Sequence, residues 1–275
     1  MWIFNSLFGK IFDALFYPFR SMSPWIGMIV VSFLTGLLML FVFKWTSNQR
    51  GIKQVKNKIK AHLLELRLYK DSLALSLQAQ GNILRCNLRY IGYSAKPMMV
   101  MILPLILIII QLNFWFGYQS LTPNQSALLK VKLKENQNPM QISLEIEPSP
   151  ELNIETPPLR IEEFNEINWR FSAKEKGIHR LTLTIDGETV TKRVSVAQKA
   201  LSKISPMKTE NSFIKQVLYP TESPIRDDLK VRSIEIQYPT QNMNLFGWHI
   251  HWLIAYFVLS IIFGFALKGA FKVEI

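Results

Sequence analysis

Some polar residues interrupt the long apolar stretches of this chain, and they are the residues best suited to a chemical role: Ser32, Thr35, Gln111, Asn113 and Ser260. Polar groups inside a bilayer usually face protein or water. These side chains are therefore candidates for lining a groove or for helix contacts, and their chemistry would be hydrogen bonding to a polypeptide. Ser32 and Thr35 share one helix face with Gly36, which favours close helix packing there.

The rest of the sequence predicts no catalytic centre. We find no Ser/His/Asp set, no glycine-rich phosphate loop and no cluster of metal ligands. His249 and His251 open a predicted helix, where residues two apart diverge by roughly 200°, which disfavours a shared metal ion. We therefore expect a protein that is not an enzyme and that needs neither a cofactor nor a metal.

Positive charge is concentrated in one segment. Of a net charge of +12, nine units lie between Lys44 and Lys96, where eleven Lys and Arg face only Glu65 and Asp71. The positive-inside rule places this segment in the cytoplasm. Its first half holds the candidates for contacts with anionic lipid or with ribosomal RNA: Arg50, Lys53, Lys56, Lys58 and Lys60. A solvated helix face that only fixes topology is the alternative.

The apolar stretches predict three transmembrane helices, at 22–45, 96–117 and 245–268, because roughly 20 helical residues cross a hydrocarbon core. The N-terminus would then lie outside and the tail, 269–275, in the cytoplasm of a bacterial inner membrane. Residues 118–244 would lie outside, and their 17 basic and 16 acidic residues give no field for nucleic acid, so DNA is not an expected partner.

Two helical segments flank the first span. Apolar residues recur every three or four positions in 1–20, which predicts an amphipathic helix in the outer interface; an uncleaved signal-anchor extension is the alternative. Residues 46–93 contain no proline and predict a basic cytosolic hairpin of two packed helices. Its turn falls near Lys70, Asp71 and Ser72, with Gly81 as the competing position.

The segment 118–244 predicts an all-β domain. Five stretches alternate apolar and polar residues, and Asp186 and Gly187 predict a hairpin turn between the last two. The stretch 168–196, with Trp169 expected in the core, is similar to the end of an immunoglobulin-like sandwich. The less regular region from Lys199 to Gln241 either completes this sandwich or clasps a neighbouring protein.

The order of these elements carries a family resemblance. A first span leads into GIKQVKNKIKAHLLELRLYKDSLALSLQAQ (51–80), and the second span begins KPMMVMILPLILIIIQL (96–112). This resembles the Oxa/YidC/Get superfamily of membrane protein insertases, and most of all its short three-span branch, which includes the archaeal YidC-like proteins and the third subunit of the endoplasmic reticulum membrane complex. Members use a hydrophilic groove in which YidC proteins commonly place an Arg; no span here contains one.

The resemblance implies an insertase or intramembrane chaperone whose partners are the lipid bilayer, client membrane proteins and, through the basic hairpin, the ribosome. The alternative is a structural subunit of an envelope complex whose β-sandwich binds a partner outside the membrane. A wet, open groove at the polar residues would favour the first function. Dry packing of these residues would favour the second.

Overall fold

The protein is described here by a computed structural model that covers residues 2–135, 137–196, 200–245 and 247–274. The chain divides into two compact units. The β unit comprises Met1–Gly27 and Ile109–Trp252, and the helical unit comprises Met28–Ile108 and Leu253–Ile275. The helices are α1 (Trp2–Phe16), α2 (Pro24–Thr46), α3 (Gln49–Leu68), α4 (Leu73–Phe116), α5 (Phe213–Leu218) and α6 (Trp252–Leu267).

Among the residues that the structure describes, two helices are long and apolar enough to cross a membrane, α2 and α4. α4 runs for 44 residues through Pro97 and Pro104, so the second half of the predicted hairpin, 46–93, and the predicted second span, 96–117, belong to one continuous helix. A proline removes one helical hydrogen bond, and here the helix continues past both.

The third predicted span, 245–268, is only partly helical. α6 has 16 residues, or about 24 Å at 1.5 Å per residue, which is shorter than a hydrocarbon core. The preceding residues form an antiparallel hairpin of β10 (Asn242–Leu245) and β11 (Trp248–His251). Gly247 adopts a φ of +90° and its N–H donates to the Asn244 side chain at 2.9 Å. Because of this turn, α6 begins only at Trp252. Hydropathy averaged over a window of residues cannot detect the turn.

The hairpin also corrects the placement of the two histidines. His249 and His251 lie on β11 and not on a helix. Residues two apart on a strand point to the same face, so they do not diverge as the helical prediction stated.

α3 and α4 form the predicted helical pair, and the turn between them lies at 69–72. Gly81 lies inside α4, which excludes it as the turn. Ile52 and Val55 of α3 are buried, and so are Ala79 and Cys86 of α4. Several large apolar residues of the two helices are nevertheless exposed: Leu63, Leu73, Leu77, Leu84, Leu88 and Ile91. The buried residues of α4 in this part, Ala79 and Cys86, are smaller than these exposed residues.

The C-terminal segment belongs to the packing of the helical unit. Val273 packs with Leu40, Phe43 and Ile52 in one apolar cluster. Lys44 Nζ donates to the Phe271 carbonyl at 3.0 Å. The C-terminal tail, 269–275, therefore packs against the ends of α2 and α3 over the residues that the structure describes.

The β unit contains two antiparallel sheets and the separate β10–β11 hairpin. The larger sheet has the order β3-β5-β1-β9-β8, with β4 also on β5, and the smaller has the order β2-β6-β7. Their strands are β1 (Ser126–Leu133), β2 (Leu144–Ile146), β3 (Leu152–Ile154), β4 (Leu159–Ile161), β5 (Glu166–Ala173), β6 (Gly177–Ile185), β7 (Glu188–Val196), β8 (Met207–Thr209) and β9 (Val231–Ile236).

Both sheets contribute to one core. Leu129 of β1, Trp169 of β5 and Leu183 of β6 belong to the same buried cluster, as the alternating patterns predict. Asp186 and Gly187 both have positive φ, +48° and +89°, which fits the type I′ turn of the β6–β7 hairpin. The region after Lys199 completes the larger sheet, since β9 pairs with β1 and β8 with β9.

α1 packs within the β unit along one face. The Phe16 ring lies 4.8 Å from that of Trp115, between centroids, and Asp13 forms an ion pair with Lys203 at 2.9 Å. Ile11 and Tyr17 are exposed on other faces. The predicted amphipathic helix is therefore present, and its buried face contacts protein.

A buried ion pair ties β7 to a loop of the β unit. Lys192 is fully buried, and its Nζ donates to the Ser205 carbonyl at 2.7 Å and to the Glu222 carboxylate. Burial lowers the pKa of the Lys192 ammonium below its ordinary value, and the Glu222 charge opposes this shift. A charge in this position is tolerated only because it is paired.

We expect Glu222→Gln to destabilise the β unit by about 3–5 kcal/mol at neutral pH, because it leaves the Lys192 charge buried without its counter-ion. The unfolded state then binds protons more tightly than the folded state, so stability rises with pH up to the unfolded pKa. The deficit of the variant should shrink toward alkaline pH. The measurement is the free energy of unfolding against pH for the full chain in detergent.

Glu188→Gln is the matched control, because Glu188 pairs with Arg226 at the surface, where both side chains are more than half exposed. Its effect should be much smaller. Equal losses of unfolding free energy from the two substitutions would contradict the conclusion that the buried Lys192 charge depends on its counter-ion.

Candidate functional site

A cavity in the helical unit is the strongest candidate for a binding site. Its volume is about 610 Å³, and it lies between α2, α4 and α6. Most of its lining is aliphatic, aromatic or thioether side chains, among them Met39, Met98 and Met101. Its lining residues, all within the described part of the helical unit, carry no charge. The site can thus bind an apolar group of substantial size, and it offers no acid–base chemistry.

Hydroxyl groups provide the polar part of this cavity. Thr35 of α2, Ser94 of α4, and Tyr256 and Ser260 of α6 all line it. The Tyr256 hydroxyl lies near those of Thr35 and Ser260. Within the described residues, the hydroxyl oxygens of Ser94, Tyr256 and Ser260 are buried and meet no hydrogen-bond geometry. Buried polar atoms are usually satisfied, so these hydroxyls, together with Thr35 beside Tyr256, form the polar part of an otherwise apolar wall.

Ser32 and Gly36 hold α2 against α6. The Ser32 hydroxyl donates to the Tyr256 carbonyl at 3.5 Å, at the long limit for a hydrogen bond. A Cβ on Gly36 would lie 3.0 Å from the Ser260 carbonyl oxygen and 3.2 Å from the Gly264 backbone nitrogen. This close approach of two backbones is typical of small residues at helix contacts in membranes.

The predicted polar residues do not form one site. Thr35 and Ser260 line the cavity, whereas Ser32 packs at the helix contact. Gln111 and Asn113 belong to the β unit. Gln111 is buried beside Gly9 of α1, and Asn113 lies against Gly117 just beyond the end of α4.

The basic candidates lie on α3. Arg50, Lys53, Lys58 and Lys60 are exposed. Lys56 is half-buried and forms an ion pair with Glu274 at 3.4 Å. Four of the five cations are therefore accessible to an anionic partner, and Lys56 has a structural contact as well.

Sequence reasoning missed Tyr256, Ser94 and the methionines of the cavity. A signal was present, because Ser260 and Gly264 are four apart, and such a pair of small residues predicts a close helix contact on that face of α6. Tyr256 precedes Ser260 by one helical turn and so lies on the same face. The methionines give no such signal, since they read as ordinary apolar residues of a span.

We expect Gly36→Leu to destabilise the helical unit by about 1–3 kcal/mol, because backbone atoms of α6 cannot move aside as a flexible side chain would. Gly92→Leu is the matched control, since a Cβ on Gly92 meets nothing within 4 Å. The measurement is thermal unfolding of the purified chain in detergent. Equal melting temperatures for the two variants would contradict this account of the α2–α6 contact.

Comparison with known proteins adds no relative. No protein-family model, curated protein or solved structure matches this chain. The resemblance to the Oxa/YidC/Get superfamily therefore stays a prediction that depends on the order of spans, basic hairpin and apolar segments in the sequence. The function of the chain has to be argued from the cavity and from the charge of α3.

Proposed function

We propose that this chain is a membrane-embedded chaperone of the insertase type, which holds an apolar helical segment of another membrane protein during its insertion or assembly. The observation that carries the proposal is the uncharged cavity between α2, α4 and α6, with hydroxyl groups in its wall. The two helices long enough to span a membrane supply two of its three walls.

The size of the cavity suits a short stretch of a helix. Binding pockets for small ligands range over about 300–1,000 Å³, so about 610 Å³ accepts several side chains and not a whole transmembrane helix. Methionine side chains adapt to differently shaped partners. Met39, Met98 and Met101 thus favour binding of many clients over recognition of one.

The hydroxyl groups give the cavity a preference for polypeptide over lipid tails. Inside a bilayer each unsatisfied polar group costs several kcal/mol. A client that brings a backbone carbonyl or a polar side chain beside Tyr256, Ser260 or Ser94 can form a hydrogen bond once the hydroxyl-bearing side chain turns toward it, which an acyl chain cannot do. No nucleotide is needed for such binding.

The orientation follows from charge. The basic α3 belongs in the cytoplasm by the positive-inside rule, and we place the chain in a bacterial inner membrane with the N-terminus outside. Arg50, Lys53, Lys58 and Lys60 would then face the surface from which a nascent client arrives. Contacts with anionic headgroups or with ribosomal RNA are both consistent with this charge.

A structural role in an envelope complex is the second candidate. The feature that favours it is the dry α2–α6 contact at Ser32 and Gly36, together with a cavity that lacks charge. In this function the β unit binds a partner outside the membrane, and the apolar residues exposed on α4 contact another subunit.

Site-specific photo-crosslinking in living cells tests the leading proposal. Met98 and Met99 are a matched pair, because both are well exposed, 60% and 68%, and only Met98 lines the cavity. A photoreactive residue at 98 should capture short-lived nascent membrane proteins while translation continues. The same residue at 99 should capture several-fold less.

The structural alternative gives a different pattern. One stable, stoichiometric partner at position 98, unchanged when translation is stopped, would overturn the chaperone proposal. It would make the chain a subunit of a complex.

We expect simultaneous substitution of Arg50, Lys53, Lys58 and Lys60 by Gln to weaken ribosome binding by the full chain in lipid nanodiscs. In a plot of the logarithm of the binding constant against the logarithm of the salt concentration, each phosphate contact removed makes the slope less steep by nearly one unit. The measurement is co-sedimentation with ribosomes over a range of salt concentrations.

The control variant removes the same number of cations near the hairpin turn and on α4: Arg67, Lys70, Arg85 and Arg89. Equal losses from both variants would indicate a general effect of net charge. No loss from the α3 variant would exclude ribosomal RNA as its partner.

A further inference from the structure

α5 presents apolar side chains to solvent at its surface. Phe213, Ile214 and Leu218 are 59%, 67% and 44% exposed, and Ile214 and Leu218 lie one turn apart on the same face. We call these three residues the α5 tip. Three large apolar side chains exposed within six residues are costly in water, at about 25 cal/mol per Å² of apolar surface.

The polar residues of α5 are directed back to the preceding loop. Lys215 forms an ion pair with Glu210 at 2.5 Å, and the Gln216 amide donates to the Asn211 side chain. The loop thus satisfies the polar groups of the helix, and the apolar side chains remain on the free surface. This division is typical of an amphipathic helix in contact with a lipid interface.

The β unit holds α5 beside the end of a long apolar helix. Tyr219, the residue after α5, has its ring 6.4 Å from that of Phe114 in the last turn of α4. α5 also contacts α1; Ile11 of α1 and Tyr17 just after it are exposed. If α4 crosses a bilayer, its last turn leaves the hydrocarbon here, and the α5 tip lies at the same level.

We propose that the α5 tip inserts into the lipid interface beside the end of α4 and anchors the β unit to the membrane surface. The occupant is lipid, because the tip is apolar and lies next to the last turn of α4, which would be at headgroup depth. This inference rests on the part of the proposed function that places α4 across a membrane. It does not depend on chaperone activity.

Spin labelling tests the proposal in the full chain. Cys86 is the only cysteine, so Cys86→Ala gives a background for single labels at Phe213→Cys and Ile214→Cys. The protein is reconstituted into phosphatidylethanolamine–phosphatidylglycerol vesicles. Collision rates are then measured with oxygen, which concentrates in lipid, and with a water-soluble nickel chelate.

Two reference positions bracket the result. Ile178→Cys, at an exposed site on β6, supplies the value for water, and Leu103→Cys, at an exposed site on α4, supplies the value for lipid. An interfacial segment lies about 5–10 Å into the headgroup boundary. Labels at 213 and 214 should therefore collide with the nickel chelate several-fold less than the label at 178, and with oxygen more.

Each result is decisive. Nickel accessibility at 213 and 214 equal to that at 178, with Leu103 in lipid, overturns the α5 anchor and leaves the membrane crossing of α4 intact. Protection from both reagents at 213 and 214 means a protein covers the tip, which also overturns it. Nickel access at 103 contradicts the membrane placement of α4 itself.

Discussion

The close contact between α2 and α6 at Gly36 is the constraint on which the helical unit depends. A glycine at this position lets the α2 backbone come within van der Waals distance of Ser260 and Gly264. If these helices lie in lipid, as proposed, no hydrophobic force acts between them, and such packing is one of the few terms that would hold them together. Tyr256 and Phe257 of α6, which lie next to this contact in the sequence, line the cavity.

The β unit depends on a different kind of interaction. Its core is apolar and shared by two sheets, and the buried Lys192 adds a charge that must be compensated. Ser205 and Glu222 both contact this ammonium, and Thr221 donates to the Ser205 hydroxyl. Such a pair contributes little net stability, but it connects β7 to the segment before β8 and to the loop that carries Glu222. That loop leads back to β9, which joins the larger sheet at β1.

The sequence predicts which segments form helices and strands better than it predicts where these elements end and what they pack against. Hydropathy locates α2, and period-two alternation locates β5, because burial on one face or on all faces leaves a local pattern. The turn at Gly247 depends on the left-handed backbone of this one residue and on one hydrogen bond from its N–H to the Asn244 side chain. Hydropathy averaged over a window of residues cannot detect such a turn. The exposure of Leu77 and Leu84 depends on which face α3 covers, which is a tertiary property.

The candidate site shows the same limit. Ser32, Thr35 and Ser260 could be chosen from the sequence because polar atoms are conspicuous among apolar ones. The division into a packed residue, Ser32, and cavity residues, Thr35 and Ser260, depends on how the helices are rotated against one another, which is a tertiary property. Gln111 had the same local signal, yet it lies beside Gly9 in the β unit.

The chemistry of the cavity narrows what the proposed function can accept. An arginine in a groove would keep water with it and attract an acidic or strongly polar flank of a client, since a buried charge needs a counter-ion or solvent. Hydroxyls need only one or two hydrogen bonds and can go without water at a smaller cost. A cavity lined by methionine, Thr35, Tyr256 and Ser260 therefore suits an apolar helix that carries an isolated polar group or a break in its hydrogen bonding. The passage of a long hydrophilic tail would require polar surface that the cavity lining does not offer.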